Sequence, residues 1–288
     1  MTNFAPCLCP HAHAWLARSP QTGACLCSSR IAASTLTCMT LIRIAGRSLA
    51  ATLELALPTT CGGCGQAGVA WCSACSEEAG FATYSGGARN VSPTPRPVGY
   101  PRTWAASPYG VAVRAALVAF KDSDRRDLVV VLAPLLTGSI VAALAGDPRL
   151  RIVLASGNGP VFAIPVPSSP AAVRRRGDSP LELLTREAVR QAGLSERELV
   201  LAPALRLRRR VADQAGLGHI QRAENLERAI EVQRRWRASV QGVNVLLVDD
   251  VLTTGATLME AARALRSAGA SHVAAATVAA TQRRGIPV

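Results

Sequence analysis

Three observations in this sequence predict an α/β domain, with a mainly parallel twisted sheet flanked by helices, behind a small cysteine-rich module. Short, continuously apolar runs such as Pro160–Val166 and Val243–Val248 read as strands buried on both faces. Helical stretches alternate with them, as crossovers between parallel strands require. Ahead of both, two CxxC pairs fall within residues 61–75.

The 288 residues leave room for one large domain with appendages. At 49% hydrophobic and 18% charged, the composition excludes a wholly disordered chain. A formal charge of +13 favours anionic partners. That charge is almost all arginine, Lys121 being the sole lysine. It reads as a chain-wide compositional bias more than a dedicated binding face. Aromatic residues at 4% give no evident stacking platform for single strands.

Taken in order, residues 1–38 hold Cys7, Cys9, Cys25, Cys27 and Cys38 with no helical or strand period. They are expected to be disordered, or to precede a true start at Met39. Residues 39–84 comprise an amphipathic helix ending at Pro58 and the cysteine module. Residues 85–103, rich in Gly, Pro and Ser, read as a linker. From 104 to 288 runs the α/β domain. Helices are predicted at Val111–Phe120, Leu128–Leu144, Leu181–Ala192 and Ala256–Ala268, the last ended by Gly269. Strands are predicted at Pro160–Val166, Leu199–Leu207, Val243–Val248 and Val273–Ala279. Leu128–Gly146 has the length and apolarity of a membrane span, but a buried helix explains it as well, and no span is expected. With no basic n-region and apolar h-region at the start, no secretory signal is read, so a reducing cytoplasm is the expected compartment.

The stretch "CGGCGQAGVAWCSAC" spaces two CxxC turns seven residues apart. Each turn points two thiolates at one centre, and Gly62, Gly63 and Gly65 allow the chain to fold tightly around it. Cys61, Cys64, Cys72 and Cys75 thus form a candidate tetrahedral site for structural Zn2+. A redox dithiol and an iron centre are the alternatives.

"VLLVDDVLTTGAT" ends an apolar strand on Asp249 and Asp250, then offers Thr253, Thr254, Gly255, Ala256 and Thr257 at the mouth of a helix. Free N–H groups and the positive dipole end make a helix N-terminus an anion site. Glycine lets the backbone approach a ligand, and threonine hydroxyls donate to phosphate oxygens. The two upstream carboxylates can accept from the vicinal hydroxyls of an attached sugar. A strand, a turn and an ordinary helix cap is the plainer alternative.

This segment resembles the phosphoribosyl pyrophosphate signature of type I phosphoribosyltransferases. The double CxxC, "FKDSDRRDL" around Lys121, "AIPVP" at Ala163–Pro167, "RRRG" at Arg174–Gly177, and Arg210, Gln214, Leu217, Arg222 and Asn225 narrow the resemblance to the ComF/GntX family. It extends over about residues 39–282. The resemblance implies the type I phosphoribosyltransferase fold, with a hood near residues 205–235 and a zinc-ribbon-like module. It implies that Asp249 and Asp250 hold the ribose hydroxyls and that residues 253–257 cradle the 5′-phosphate. Ser168 and Ser169 fall at the pyrophosphate loop, with Arg176 nearby, and Mg2+ accompanies phosphoribosyl pyrophosphate. Lys121, the surviving lysine of the family's basic motif, is placed with Asp249 and Asp250 as a catalytic candidate. After "RRRG" the family's Phe-Asn-Gln is replaced here by Asp178, Ser179 and Pro180. The arginines at 206–210 and 234–237 read either as anion ligands of the hood or as a solvated basic face. The resemblance also carries a second reading: a competence-type DNA-uptake accessory that binds single-stranded DNA and competence proteins, its pocket serving as a sensor.

Overall fold

The computed structural model describes residues 60–81, 83–168, 173–174, 177–208 and 228–281. The expected leader, the helix at 39–58, most of the expected hood, Ser169 and Arg176 lie outside these residues.

The elements follow the alternation that the apolar runs predict. Helix α1 (Ser73–Phe81) leads to strands β1 (Arg89–Val91) and β2 (Thr103–Pro108) and helices α2 (Val111–Asp122), α3 (Val129–Gly146) and α4 (Pro148–Ser156). Then come β3 (Val161–Pro165), α5 (Pro180–Gln191), β4 (Leu199–Leu201), β5 (Leu205–Leu207), β6 (Ile230–Val232) and α6 (Arg237–Val240). Strand β7 (Asn244–Leu252), helix α7 (Ala256–Ser267) and strand β8 (His272–Ala280) complete the described chain.

Six strands form one sheet in the order β1-β2-β8-β7-β3-β4, parallel except for β1. The order explains the apolar runs. β7 and β8 lie inside the sheet with helices packed on it, so Val245–Val248 and Val273–Ala276 have almost no exposure and no face needs polar residues. From β3 the chain moves outward to β4, then returns to the other side of β3 as β7. The winding order therefore switches sides between β3 and β7, the kind of point at which open α/β sheets bind ligands at the carboxyl ends of the strands.

Two boundaries differ from the sequence reading for identifiable reasons. The strand expected over Leu199–Leu207 is two strands. Pro203 lacks a ladder N–H, and beyond it β5 leaves the main sheet to pair antiparallel with β6. The strand expected to stop at Val248 runs on through both acids to Leu252, because β8 keeps pairing with it, Asp249 opposite Thr277 and Leu252 opposite Ala280. Within residues 85–103, Arg89–Val91 pair with β2 as the edge strand.

Arg126–Gly146 is the one helix among the described residues long and apolar enough to cross a membrane by length and composition. Its inner stripe, Leu132, Leu136, Ile140 and Ala143, is buried against β2, β8 and α5. The buried Ser139 hydroxyl donates to the Thr277 carbonyl at 2.7 Å, fixing α3 onto β8. Replacing the fully buried Leu136 by Ala is expected to cost about 2–5 kcal/mol, read as a lower urea midpoint with an unchanged slope.

Candidate functional site

Of the sequence-predicted residues that the structure describes, Lys121, Asp249 and Asp250 meet at the carboxyl end of β7, with Thr253–Thr257 following them in the chain. Register pairs Pro165 with Val248, so the chain leaving β3 toward Ser168 rises beside the end of β7, where Asp249 and Asp250 stand. Ser168 Oγ lies 3.4 Å from Ser179 Oγ, linking the segment after β3 to the start of α5.

Asp249 and Asp250 are both buried, at 8% and 9% exposure, and the Asp250 N–H donates to Asp249 Oδ1 at 2.9 Å. Two adjacent carboxylates out of water cannot both ionise cheaply. Lys121, near the end of α2, resolves the conflict by pairing its ammonium with Asp250 Oδ2. Burial and the neighbouring Asp250 charge push the Asp249 carboxyl well above the usual carboxylate range. Burial acts the same way on Asp250, but Lys121 and the hydrogen bond with Asp249 outweigh it and hold Asp250 low. Burial also works against the Lys121 charge, yet the two carboxylates more than compensate and raise it. The two acids are thus pushed in opposite directions, with the Lys121 ammonium on Asp250. Tyr109 belongs here too: burial, then the nearby Asp250 charge, raises its phenol. Nothing in the sequence marked Tyr109, because its place depends on β2 running parallel to β8, where the Tyr109 N–H donates to the Ala280 carbonyl at 2.9 Å.

The loop after β7 is shaped by Gly255, which has φ +76° and no room for a side chain. A Cβ there would sit 2.6 Å from the Tyr100 ring and 3.1 Å from Pro93. Tyr100 is itself buried, and its hydroxyl accepts from Thr103 Oγ1 at 3.1 Å. The Gly99 carbonyl is held by Arg266 Nη1 at 2.8 Å, so the segment before β2 is tied to α7. Thr254 Oγ1 accepts from the Ala256 N–H at 3.3 Å, and no side chain of the N-cap residue closes the helix. The amino end of α7 follows the acids directly in the chain, and the first backbone N–H groups of a helix have no partner within the helix, as an anion cradle needs.

The four cysteines also converge, their Sγ atoms all within 4.8 Å of one another. Tetrahedral zinc at ~2.3 Å from each sulfur sets the sulfurs about 3.8 Å apart, and Cys64 and Cys72 are separated by 3.6 Å. Cys61 Sγ accepts from the Gly63 and Cys72 N–H groups at 3.4 and 3.3 Å. Burial opposes the Cys61 thiolate, but hydrogen bonds from the Cys64, Cys72 and Gly63 backbones and the Cys72 side chain prevail and bring its pKa down to about 6. Burial pushes the Cys75 thiol up. Soft sulfur donors in this arrangement could hold a metal ion. Gly63 is required, since a Cβ would meet Cys75 Sγ at 2.5 Å. Gly62 lets the knuckle sit directly on Leu128, where a Cβ would meet its side chain at 2.6 Å. Arg125 completes the docking, donating to the carbonyls of Thr60 at 2.6 Å and Ala70 at 3.3 Å.

Arg126 and Asp178 were not singled out by their chemistry in the sequence, yet they join two site segments. Arg126 Nε and Nη2 grip the Asp178 carboxylate at 2.7 and 2.8 Å, and Nη1 donates to the Phe120 carbonyl beside Lys121. The Asp178 that departs from the family's usual residues thus anchors the turn bearing Lys121.

The protonation pattern sets a pH test. The raised Asp249 carboxyl holds its proton in the folded state above the pH at which the unfolded chain releases it. The folded state then binds more protons, so this group makes stability fall as pH rises from about 4. Asp249→Asn is expected to gain stability relative to the parent at pH 8, and less at pH 4.5, in urea midpoints compared at the two values.

No curated protein matches the chain. Residues 200–288 match the family model of the phosphoribosyl transferase domain, and this stretch contains β7, both acids, the Thr253–Thr257 loop and α7. The mixed sheet and the acid-and-threonine edge thus make this chain similar to a type I phosphoribosyl transferase.

Proposed function

We propose that the protein binds phosphoribosyl pyrophosphate with magnesium at the carboxyl edge of β7 and transfers the phosphoribosyl group to a nitrogen of a base or amine. The observation that carries this reading is the juxtaposition of an Asp249–Asp250–Lys121 cluster with a helix start behind Gly255 that only Thr254 Oγ1 meets, through the Ala256 N–H. Backbone N–H groups of residues 255–257 and the hydroxyls of Thr253, Thr254 and Thr257 take the 5′-phosphate. Asp250, ionised, accepts from the ribose hydroxyls, and Asp249 completes the pair. Ser168 belongs to the loop facing the pyrophosphate, and Ser169 and Arg176 are assigned there from the family pattern. The hard oxygens of the two acids suit magnesium, which supplies charge neutralisation on the departing pyrophosphate. At C1′ the bond to the pyrophosphate oxygen breaks as a nitrogen–carbon bond forms, through an oxocarbenium-like state. The nitrogen's proton is lost to solvent or to a basic group. The chain contributes by placement and electrostatics, with no covalent intermediate. Lys121 tunes the acids and offers a compact ammonium that a planar guanidinium does not reproduce.

Phosphoribosyl pyrophosphate with magnesium, titrated calorimetrically, is expected to bind the parent with a Kd in the micromolar-to-millimolar range usual for substrates. Asp249→Ala/Asp250→Ala should weaken binding at least tenfold, about 1.4 kcal/mol. Equal, weak binding by both proteins overturns the assignment. Lys121→Arg is expected to lose affinity as well, despite keeping the charge.

The cysteine knuckle is assigned structural zinc, as befits a closed set of four thiolates, and reduced thiols accord with a cytoplasmic protein. Purified protein should carry one zinc per chain. Its removal by a chelator should lower the melting temperature. Metal-free protein of unchanged stability refutes the assignment.

A further inference from the structure

Beyond the acid-and-threonine edge, a second cleft of about 530 Å³ lies where β6, α6 and the carboxyl end of α7 meet. Arg208, Arg228, Arg237 and Arg263 line it, with Gln241 and Glu231. The amino end of α7 faces the Thr253–Thr257 loop, and Ser267 in this cleft stands 11 residues further along, about 16 Å at 1.5 Å per residue. The two sites are therefore separate.

Among the described residues, the charges in this cleft do not cancel. Glu231 is already held by Arg206, whose Nη2 lies 2.7 Å from Oε1. Arg263 is bound to the buried Glu260 through Nε at 2.6 Å and to the Ile230 carbonyl through Nη2 at 3.2 Å. Arg208, Arg228 and Arg237 have no ion-pair partner among the described residues. The carboxyl end of α7 contributes about half a negative charge, which three full charges outweigh. Arg228 adds an independent sign, since it adopts φ +53°, a left-handed conformation that costs a non-glycine residue on the order of 1 kcal/mol. Such a cost at the rim of a cleft is a mark of function more often than of packing. Among the described residues no aromatic ring lines the cleft, and its volume falls within the range of roughly 300–1,000 Å³ typical of small-ligand sites.

We infer that this cleft is a second binding site, for a small polyphosphorylated ligand whose phosphate oxygens are gripped by Arg208, Arg228 and Arg237. Guanidinium forks match phosphate oxygens in pairs, which explains three arginines where a solubilising surface would alternate signs. The ligand is a free polyphosphate chain or a nucleoside triphosphate, both presenting the same anionic oxygens. Failure of this inference leaves the reading of the β7 edge untouched.

The probes are inorganic tripolyphosphate, ATP and a twenty-residue oligothymidylate, titrated into the full chain at one fixed salt concentration. The proteins are the parent, Arg208→Ala/Arg228→Gly/Arg237→Ala, and Arg237→Ala alone. Glycine accepts the left-handed backbone at 228, and the other two side chains are exposed, so the triple variant should melt as the parent does. The single variant keeps the test readable if it does not. A phosphate bound at the Thr253–Thr257 loop survives these substitutions, so the readout is one site rather than all binding. The parent is expected to show a site that the triple variant loses, or holds at least tenfold more weakly, with Arg237→Ala between them. Equal affinities for tripolyphosphate and ATP assign recognition to the phosphates, and tighter ATP assigns the ligand to the nucleotides. Identical isotherms for parent and variants overturn the inference. So does a response confined to the oligothymidylate, which would make the arginines a strand-binding surface.

Discussion

The contact on which this molecule turns is the pairing of its single lysine with one of two adjacent buried acids. β7 must be apolar to lie inside the sheet, and its last residues carry carboxylates into that same low-dielectric setting. Adjacent and buried, the two carboxyls oppose each other's ionisation. Burial and the Asp250 charge raise the Asp249 carboxyl, while Lys121 outweighs burial and holds Asp250 low. An arginine in its place would keep the charge but spread it over a plane. The preference of this chain for arginine everywhere else makes the exception at 121 chemically informative.

Lys121 is held in place from two sides. Arg126 fastens the turn after α2 to Asp178 and to the carbonyl of Phe120, the residue next to Lys121. From below, the cysteine knuckle rests through Gly62 on Leu128, at the other end of the same turn, and Arg125 stitches it down through Thr60 and Ala70. The knuckle touches no reacting group, yet it forms part of the wall against which the lysine-bearing turn is packed. This gives a physical reason for a small cysteine module to be fused to an α/β domain.

Much of the site was legible because its elements are local in sequence. A buried strand, two acids, a threonine-glycine turn and an amphipathic helix are consecutive, and each leaves a compositional mark within 25 residues. The cysteine spacing is equally local. The rest depends on which strands become neighbours. Tyr109 reaches the acids only because β2 lies parallel to β8. Tyr100 and Pro93 close on Gly255 although residues 85–103 read as a featureless linker. Glu260 of α7 is buried on the face that β6 covers, accepting from the Ile230 N–H at 3.2 Å and from Arg263. Helical periodicity cannot reveal that β6 covers that face. The apolar run at 128–146 was ambiguous for the same reason: only the sheet beneath α3 distinguishes a core helix from a span.

The turn from Asp122 to Leu128 then has an energetic consequence. One of its ends carries the side chain that sets the charge of Asp250, and the other carries Leu128, on which the knuckle sits. A disturbance that lets the knuckle lift removes packing from a fully buried leucine and two carbonyl acceptors from Arg125. The turn loses order at the end opposite Lys121. Conversely, a ligand that engages Asp250 favours the arrangement in which the turn, and the surface offered to the knuckle, is formed. Linkage between binding equilibria is reciprocal. If knuckle occupancy tightens sugar-phosphate binding through this turn, sugar-phosphate binding must tighten the knuckle's hold on its metal by the same factor. Arg126 is where such a coupling would pass, because its guanidinium bonds both the Phe120 carbonyl and the Asp178 carboxylate across the turn.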